Sequence, residues 1–166
     1  MLHGHSDAVL SLAVHHDAKC VYSGSSDSTI KVWKRSSSAV VRTLEGHSLC
    51  VWCVVIAADR VYSGSADNTI RVWSSLDGRC MHVMAGYSAW ASSTVVHDGL
   101  VFCGQQGNGI TVVRSDGQTL HTLTGHTGHV FALLVHGKIL YSGGADGKVR
   151  ACSRASAQRM QSSLDP

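Results

Sequence analysis

The chain has 166 residues, of which 15% are charged and 44% hydrophobic; it carries a net charge of +3, seventeen glycines and one proline. That length fits one domain able to bury about 70% of its unfolded surface. Charge well below the roughly 25% of an average domain suits strands covered on both faces. Lys and Arg are scattered, with Lys34-Arg35 the longest basic run, so there is no basic stripe for nucleic acid. The longest apolar run, residues 50–58, is too short to cross a bilayer.

Met1 is followed by LHGHSDAV, without a basic or apolar leader region. No secretory signal is expected, and the six irregularly spaced cysteines are expected as reduced thiols in the cytoplasm or nucleus.

Taken in chain order, the sequence repeats itself. Gly4-His5 precedes VYSGSSDSTIKVW at residues 21–33, and Gly46-His47 precedes VYSGSADNTIRVW at residues 61–73. The two thirteen-residue stretches lie 40 residues apart and differ at three positions. Gly86-Tyr87 and Phe102-Cys103-Gly104 open a third, weaker copy; Gly125-His126 and Tyr141-Ser142-Gly143 mark a fourth. Tyr22, Tyr62, Phe102 and Tyr141 thus recur at intervals of 40, 40 and 39 residues. The second copy reads as four short strands: residues 51–56, a polar turn at Asp59-Arg60, residues 61–64, a turn over residues 65–68, residues 69–73, a loop at Gly78, then residues 80–84. Strands of about five residues separated by Gly, Asp and Ser are hairpin chemistry, and no helical period is sustained.

A period near 40 with Gly-His early, four strands and a late Trp resembles the WD40 repeat. The resemblance covers essentially the whole chain. It is close in the first two repeats. It is weaker in the fourth, which has Cys152 in the Trp slot, and weakest in the third, which has Tyr87, Cys103, Gly107 and Val113 in the four signature slots. It implies an all-β fold of four four-stranded antiparallel blades, at about residues 6–44, 48–84, 88–123 and 127–162 of a single domain spanning 1–166. Propellers of this family usually close with about seven blades, so four imply a partial, open propeller or part of a larger one. A second copy of the chain or the remaining blades of a longer chain would then complete it.

Ser, His and Asp together invite a hydrolase reading, since a carboxylate-oriented base can activate a hydroxyl. His5, Ser23 and Asp27 supply the parts, as do His47, Ser63 and Asp67, and His126, Ser142 and Asp146. An active site occurs once, whereas this set recurs with the repeat. The resemblance instead implies structural hydrogen-bonded tetrads, His5–Ser23–Asp27–Trp33 and His47–Ser63–Asp67–Trp73. His15-His16, His97 and His136 fall in successive hairpins, so no metal site is expected and no cofactor is implied. Cys50-Val51-Trp52-Cys53 has redox spacing but falls in a predicted strand rather than at a helix start. The stretch 105–109, QQGNG, lacks the Lys and Ser/Thr of a phosphate loop and reads as a degenerate turn.

The function implied by the resemblance is a non-catalytic scaffold binding a protein or peptide, with no nucleic acid or membrane partner. The alternatives are a substrate-recognition or targeting module of a larger enzyme or ubiquitin ligase, and a Ser-His-Asp hydrolase. Against one adaptor-docking signature, Lys34 and Ser36 follow the first Trp, and Ser74 and Leu76 the second. In the family, three slots per blade face the channel mouth. They hold Ala8, Leu10 and Ser26; Cys50, Trp52 and Ala66; Trp90, Ser92 and Gln106; and His129, Phe131 and Ala145. Aromatic anchors make binding hot spots, so Trp52, Trp90, Gln106, His129 and Phe131 are the candidate partner-binding residues.

Overall fold

The computed structural model describes residues 3–15, 17, 19–37, 39–85, 90–107, 109–114 and 116–153. Among these residues there are fifteen strands and no helix. They form two compact units, Met1–Ala91 and Ser92–Pro166.

The N-terminal unit holds two meanders. One runs β1 (Val9–His15), β2 (Cys20–Ser25), β3 (Ile30–Lys34) and β4 (Val40–Leu44); the other runs β5 (Val51–Ala57), β6 (Arg60–Ser65), β7 (Ile70–Ser74) and β8 (Cys80–Met84). Every neighbouring pair is antiparallel. Strands β2 and β6 carry the repeated Tyr-Ser-Gly, and their turns into β3 and β7 need one left-handed residue each. Ser28 (φ 69°) and Asn68 (φ 61°) supply it. Between β5 and β6 the turn is Ala58-Asp59, with Ala58 at φ 49°. Ala57 therefore pairs with Arg60, so Arg60 begins a strand rather than closing the turn. Cys50 lies just before β5, outside the strand predicted for it.

The core of this unit is built from Tyr22, Ile30, Val32 and Leu44 of the first sheet and Val51, Val54, Val61 and Trp73 of the second. Gly24 makes the close approach possible. A Cβ there would sit 2.8 Å from Val51 Cγ1 and 2.9 Å from Val54 Cγ2, so the recurring glycine of Tyr-Ser-Gly is where the next sheet's first strand lies against β2.

The C-terminal unit repeats the plan. Strands β9 (Ala91–His97), β10 (Leu100–Gln105), β11 (Ile110–Arg114) and β12 (Thr119–Leu123) form one sheet; β13 (Val130–His136), β14 (Ile139–Gly144) and β15 (Val149–Ser153) form another. Phe102, Ile110 and Val112 pack with Val130 and Leu140, and a Cβ at Gly104 would meet the Val130 carbonyl at 2.8 Å. Tyr22, Tyr62, Phe102 and Tyr141 all stand opposite the middle residue of the next strand, paired with Val32, Val72, Val112 and Ala151. Three sheets have four strands. The fourth has three, and the stretch to residue 162 expected to complete it lies outside the described residues, as do Gly86, Tyr87, His16 and Asn108.

Candidate functional site

Each of the first two sheets carries a buried polar chain. The Trp33 indole N–H donates to Ser23 Oγ at 2.7 Å, Ser23 meets His5 Nε2 at 2.7 Å, and His5 Nδ1 meets Asp27 Oδ2 at 2.7 Å. In the second sheet the corresponding distances are 2.8 Å for Trp73 to Ser63, 2.7 Å for Ser63 to His47, and 2.8 Å for His47 to Asp67. A carboxylate only accepts, so Nδ1 carries the proton in each ring. Burial pushes His47 below its ordinary value of 6.5, outweighing the Asp67 carboxylate, which pulls the other way. A neutral His47 then accepts the Ser63 hydroxyl proton at Nε2.

Sequence reasoning found these four members and missed three more. Thr29 and Thr69 donate hydroxyl and backbone N–H to the same carboxylates. Ser25 and Ser65 accept the backbone N–H of Asp27 and Asp67 while donating to the Asp7 and Leu49 carbonyls. Backbone N–H groups of Ser6 and Ser48 complete the sets. The signal was present as Ser-x-Asp-x-Thr, repeated at 25–29 and 65–69. Burial alone would raise the pKa of Asp27 and Asp67, but these hydrogen bonds together hold both below 3.8.

The fourth sheet keeps a reduced chain. Ser142 meets His126 Nε2 at 2.9 Å, and His126 Nδ1 meets Asp146 at 2.9 Å. Gly144 and Lys148 replace the Ser and Thr, so the backbone N–H groups of Thr127 and Lys148 assist, with Arg150 Nη2 4.0 Å from Asp146 Oδ2. Asp146 is lowered to about 2, chiefly by His126. In the third sheet Cys103 accepts from the Thr94 hydroxyl at 3.8 Å and Val113 is fully buried.

The aromatic candidates share a structural device. In β1, β5 and β13 the register skips one residue, between Val9 and Ser11, Val51 and Cys53, and Val130 and Ala132. Leu10, Trp52 and Phe131 are therefore bulge residues, lifted out of the ladder and re-aimed. No sequence pattern announced the bulges. Trp52 stacks on Trp90, ring centroids 6.2 Å apart and planes 20° apart. Trp90 is 41% exposed, while the Trp52 indole nitrogen is buried without an acceptor. In the C-terminal unit Phe131, 59% exposed, meets His129 edge-on at 5.6 Å. Gln106 lies in the turn after β10, half-buried. Backbone bonds join the other slots within each sheet: Ser26 N–H to the Ala8 carbonyl, Ala66 to Cys50, and Ala145 to His129.

A computationally designed protein, Ika4, superposes with a TM-score of 0.84 at 30% identity, over 92% of this chain and 95% of that one. The designed Ika8 protein gives 0.83 at 30% identity, over 92% of this chain and 48% of its own. The probable E3 ubiquitin ligase complex SCF subunit scon-2 of Neurospora crassa is 48% identical over 46 residues, 28% of this chain. The chain spans only 7% of that relative's length. A family profile described as WD domain, G-beta repeat matches residues 1–34, 38–74 and 117–151 and passes over the degenerate third repeat. With more than half its length so matched and its sheets folded as that family's blades, the chain belongs to the WD40 repeat family.

Proposed function

We propose that the chain is a non-catalytic interaction module that binds a protein or peptide at the channel-mouth side of its blades. The anchors would be Trp52 and Trp90 in the N-terminal unit and Gln106, His129 and Phe131 in the C-terminal unit. The Trp52–Trp90 stack carries this reading. Two of the chain's four tryptophans lie face to face with one ring exposed. Aromatic anchors of this kind typically hold about 2 kcal/mol of binding energy or more. The test is affinity for peptides selected from a displayed library. Trp90→Ala should weaken binding by about tenfold or more while the melting temperature holds. If Trp90→Ala and Trp52→Ala both lose stability yet keep full affinity, the pair is core and the reading fails.

A role as the recognition or targeting module of a ubiquitin ligase is favoured only by the scon-2 match, and Lys34, Ser36, Ser74 and Leu76 do not fit the adaptor signature. The hydrolase reading is disfavoured at Ser23 and Ser63, both buried and held by indole N–H groups. Labelling of Ser142 by a serine-directed fluorophosphonate would revive it. The site of action we propose is the cytoplasm or nucleus, consistent with six cysteines outside any disulfide.

A second reading concerns blade completion. In β5 Val54 is 4% exposed, yet Leu12 at the same register in β1 is 66% exposed. In β11 Ile110 is 5% exposed, yet Val149 at the same register in β15 is 78% exposed. Apolar faces of this kind seek cover. A second copy of the chain or further blades of a longer one would provide it, and light scattering on the purified chain separates the two.

A further inference from the structure

A cavity of about 240 Å³ lies between β12 and the last sheet, lined by Ile110, Thr122, Leu123, His126, Ser142, Arg150 and Cys152 among others. Its position in the repeat explains it. Cys152 pairs with Leu140 as Trp73 pairs with Val61, so the cysteine occupies the tetrad tryptophan's slot. The walls are the Trp73 surroundings reproduced: Leu123 stands where Leu44 packs near Trp73, and Ile110 where Ile30 does. In the second sheet a Cβ at Gly46 would touch the Trp73 ring at 3.3 Å, whereas at Gly125 the nearest atoms belong to Arg150 alone.

Three features of this cavity match one ligand chemistry. Ser142 gives its hydroxyl proton to His126, whose Nδ1–H faces Asp146; the Ser142 oxygen therefore keeps lone pairs where Ser23 and Ser63 accept an indole N–H. Arg150 is the counterpart of Arg71, whose guanidinium lies 5.9 Å from the Trp73 ring; it lines the cavity with its Nη2 4.0 Å from Asp146 Oδ2, so a cation borders the space a ring would take. The volume suffices, since a cavity of about 150 Å³ admits benzene. We infer that this cavity is a binding site for a planar aromatic ring bearing one N–H donor, an indole-like group that donates to Ser142 and stacks under Arg150.

The experiment titrates the full chain with indole, 1-methylindole and N-acetyltryptophanamide, followed by amide NMR shifts. Indole should perturb Thr122, Leu123, His126 and Ser142. 1-Methylindole, having no N–H, should bind about tenfold more weakly, the worth of one hydrogen bond. Ser142→Ala should abolish that tenfold preference, and Cys152→Trp should raise the melting temperature and remove indole binding. Tighter binding of the amide than of indole assigns a partner's tryptophan side chain; the reverse order assigns a free small molecule. Absence of shifts up to the solubility of indole overturns the inference. So does equal binding of the methylated ring by the unmodified chain. Should Cys152→Trp fail to fold, the Ser142→Ala comparison decides alone.

Discussion

Asp67 is the acceptor on which the second sheet's polar chain ends, and Asp67→Ala measures what that chain contributes. Its carboxylate takes His47 Nδ1–H at 2.8 Å, the Thr69 hydroxyl at 2.6 Å, and the backbone N–H groups of Thr69 and Ser48 at 2.9 and 3.1 Å. The His47 side chain is 1% exposed, so its orphaned N–H alone costs about 1–3 kcal/mol. The turn's N–H groups recover part of their loss from water, and removing a charge whose side chain is 6% exposed returns some desolvation energy. A net loss of about 2–4 kcal/mol follows, or about 1–2 M in urea midpoint at an m-value near 2 kcal/mol/M. The assay has a built-in reporter: Trp33, Trp52, Trp73 and Trp90 all lie in the N-terminal unit, so tryptophan fluorescence follows that unit. Asp77→Ala is the control, removing an exposed carboxylate whose partners, the Ser74 hydroxyl and the Arg79 N–H, lie within its own loop. If both variants unfold at the same midpoint, the role given to Asp67 is refuted.

Acid should weaken the N-terminal unit in two stages. His47 is lowered by burial, so between its folded value and 6.5 the unfolded chain binds the extra proton; stability is complete above about 6.5 and falls as pH drops below it. Asp27 and Asp67 are held below 3.8, so their contribution is present above that value and is lost toward their folded values. Fluorescence-monitored urea midpoints at pH 7.5, 5.5 and 4 check the first stage and a further step from pH 4 to 2.5 checks the second, and a midpoint rising with acid contradicts the sign. In the C-terminal unit, Gly104→Ala drives a Cβ to 2.5 Å from Ser93 Oγ and 2.8 Å from the Val130 carbonyl and should cost about 2 kcal/mol or more. Gly137→Ala meets nothing within 4 Å but holds φ at 58°, so about 1 kcal/mol is expected. Circular dichroism melts rank the two, and equal losses would tie Gly104 to backbone conformation rather than to sheet contact.

The fold was legible because its signals are local and repeated. Tyr-Ser-Gly at a constant interval marks strands whose glycine admits the next sheet, and Asp followed by Ser, Asn or Gly marks turns needing a left-handed residue. The tetrads were legible for the same reason, as fixed residue types at fixed spacing. The bulges at Leu10, Trp52 and Phe131 were not. A bulge is a mismatch between two strands' registers, and neither strand's sequence holds it alone. Nor was the Trp52–Trp90 stack, which joins side chains 38 positions apart in different repeats. The substitution at Cys152 was visible, but a missing indole becomes a cavity only if its neighbours hold their places, and that is a property of packing.

The third repeat shows why such substitutions persist. It has lost His, Asp and Trp from the signature slots, yet β10 is buried along its whole length and β11 along all but its last residue. Val113 fills the Trp slot and Cys103 the Ser slot, both completely buried. A buried polar chain must desolvate every member before its hydrogen bonds return that energy, so an apolar set of suitable volume holds a sheet about as well. Losing one member while keeping the others is the costly case, because partners are left unmatched. The third repeat avoids that cost by abandoning the polar chain together. The fourth does not. It retains Ser142, His126 and Asp146 at full hydrogen-bonding distance around a slot whose donor is gone. A polar chain kept intact around a missing donor is the arrangement in which a ligand's N–H gains most, and it is what sets the fourth blade apart from the third.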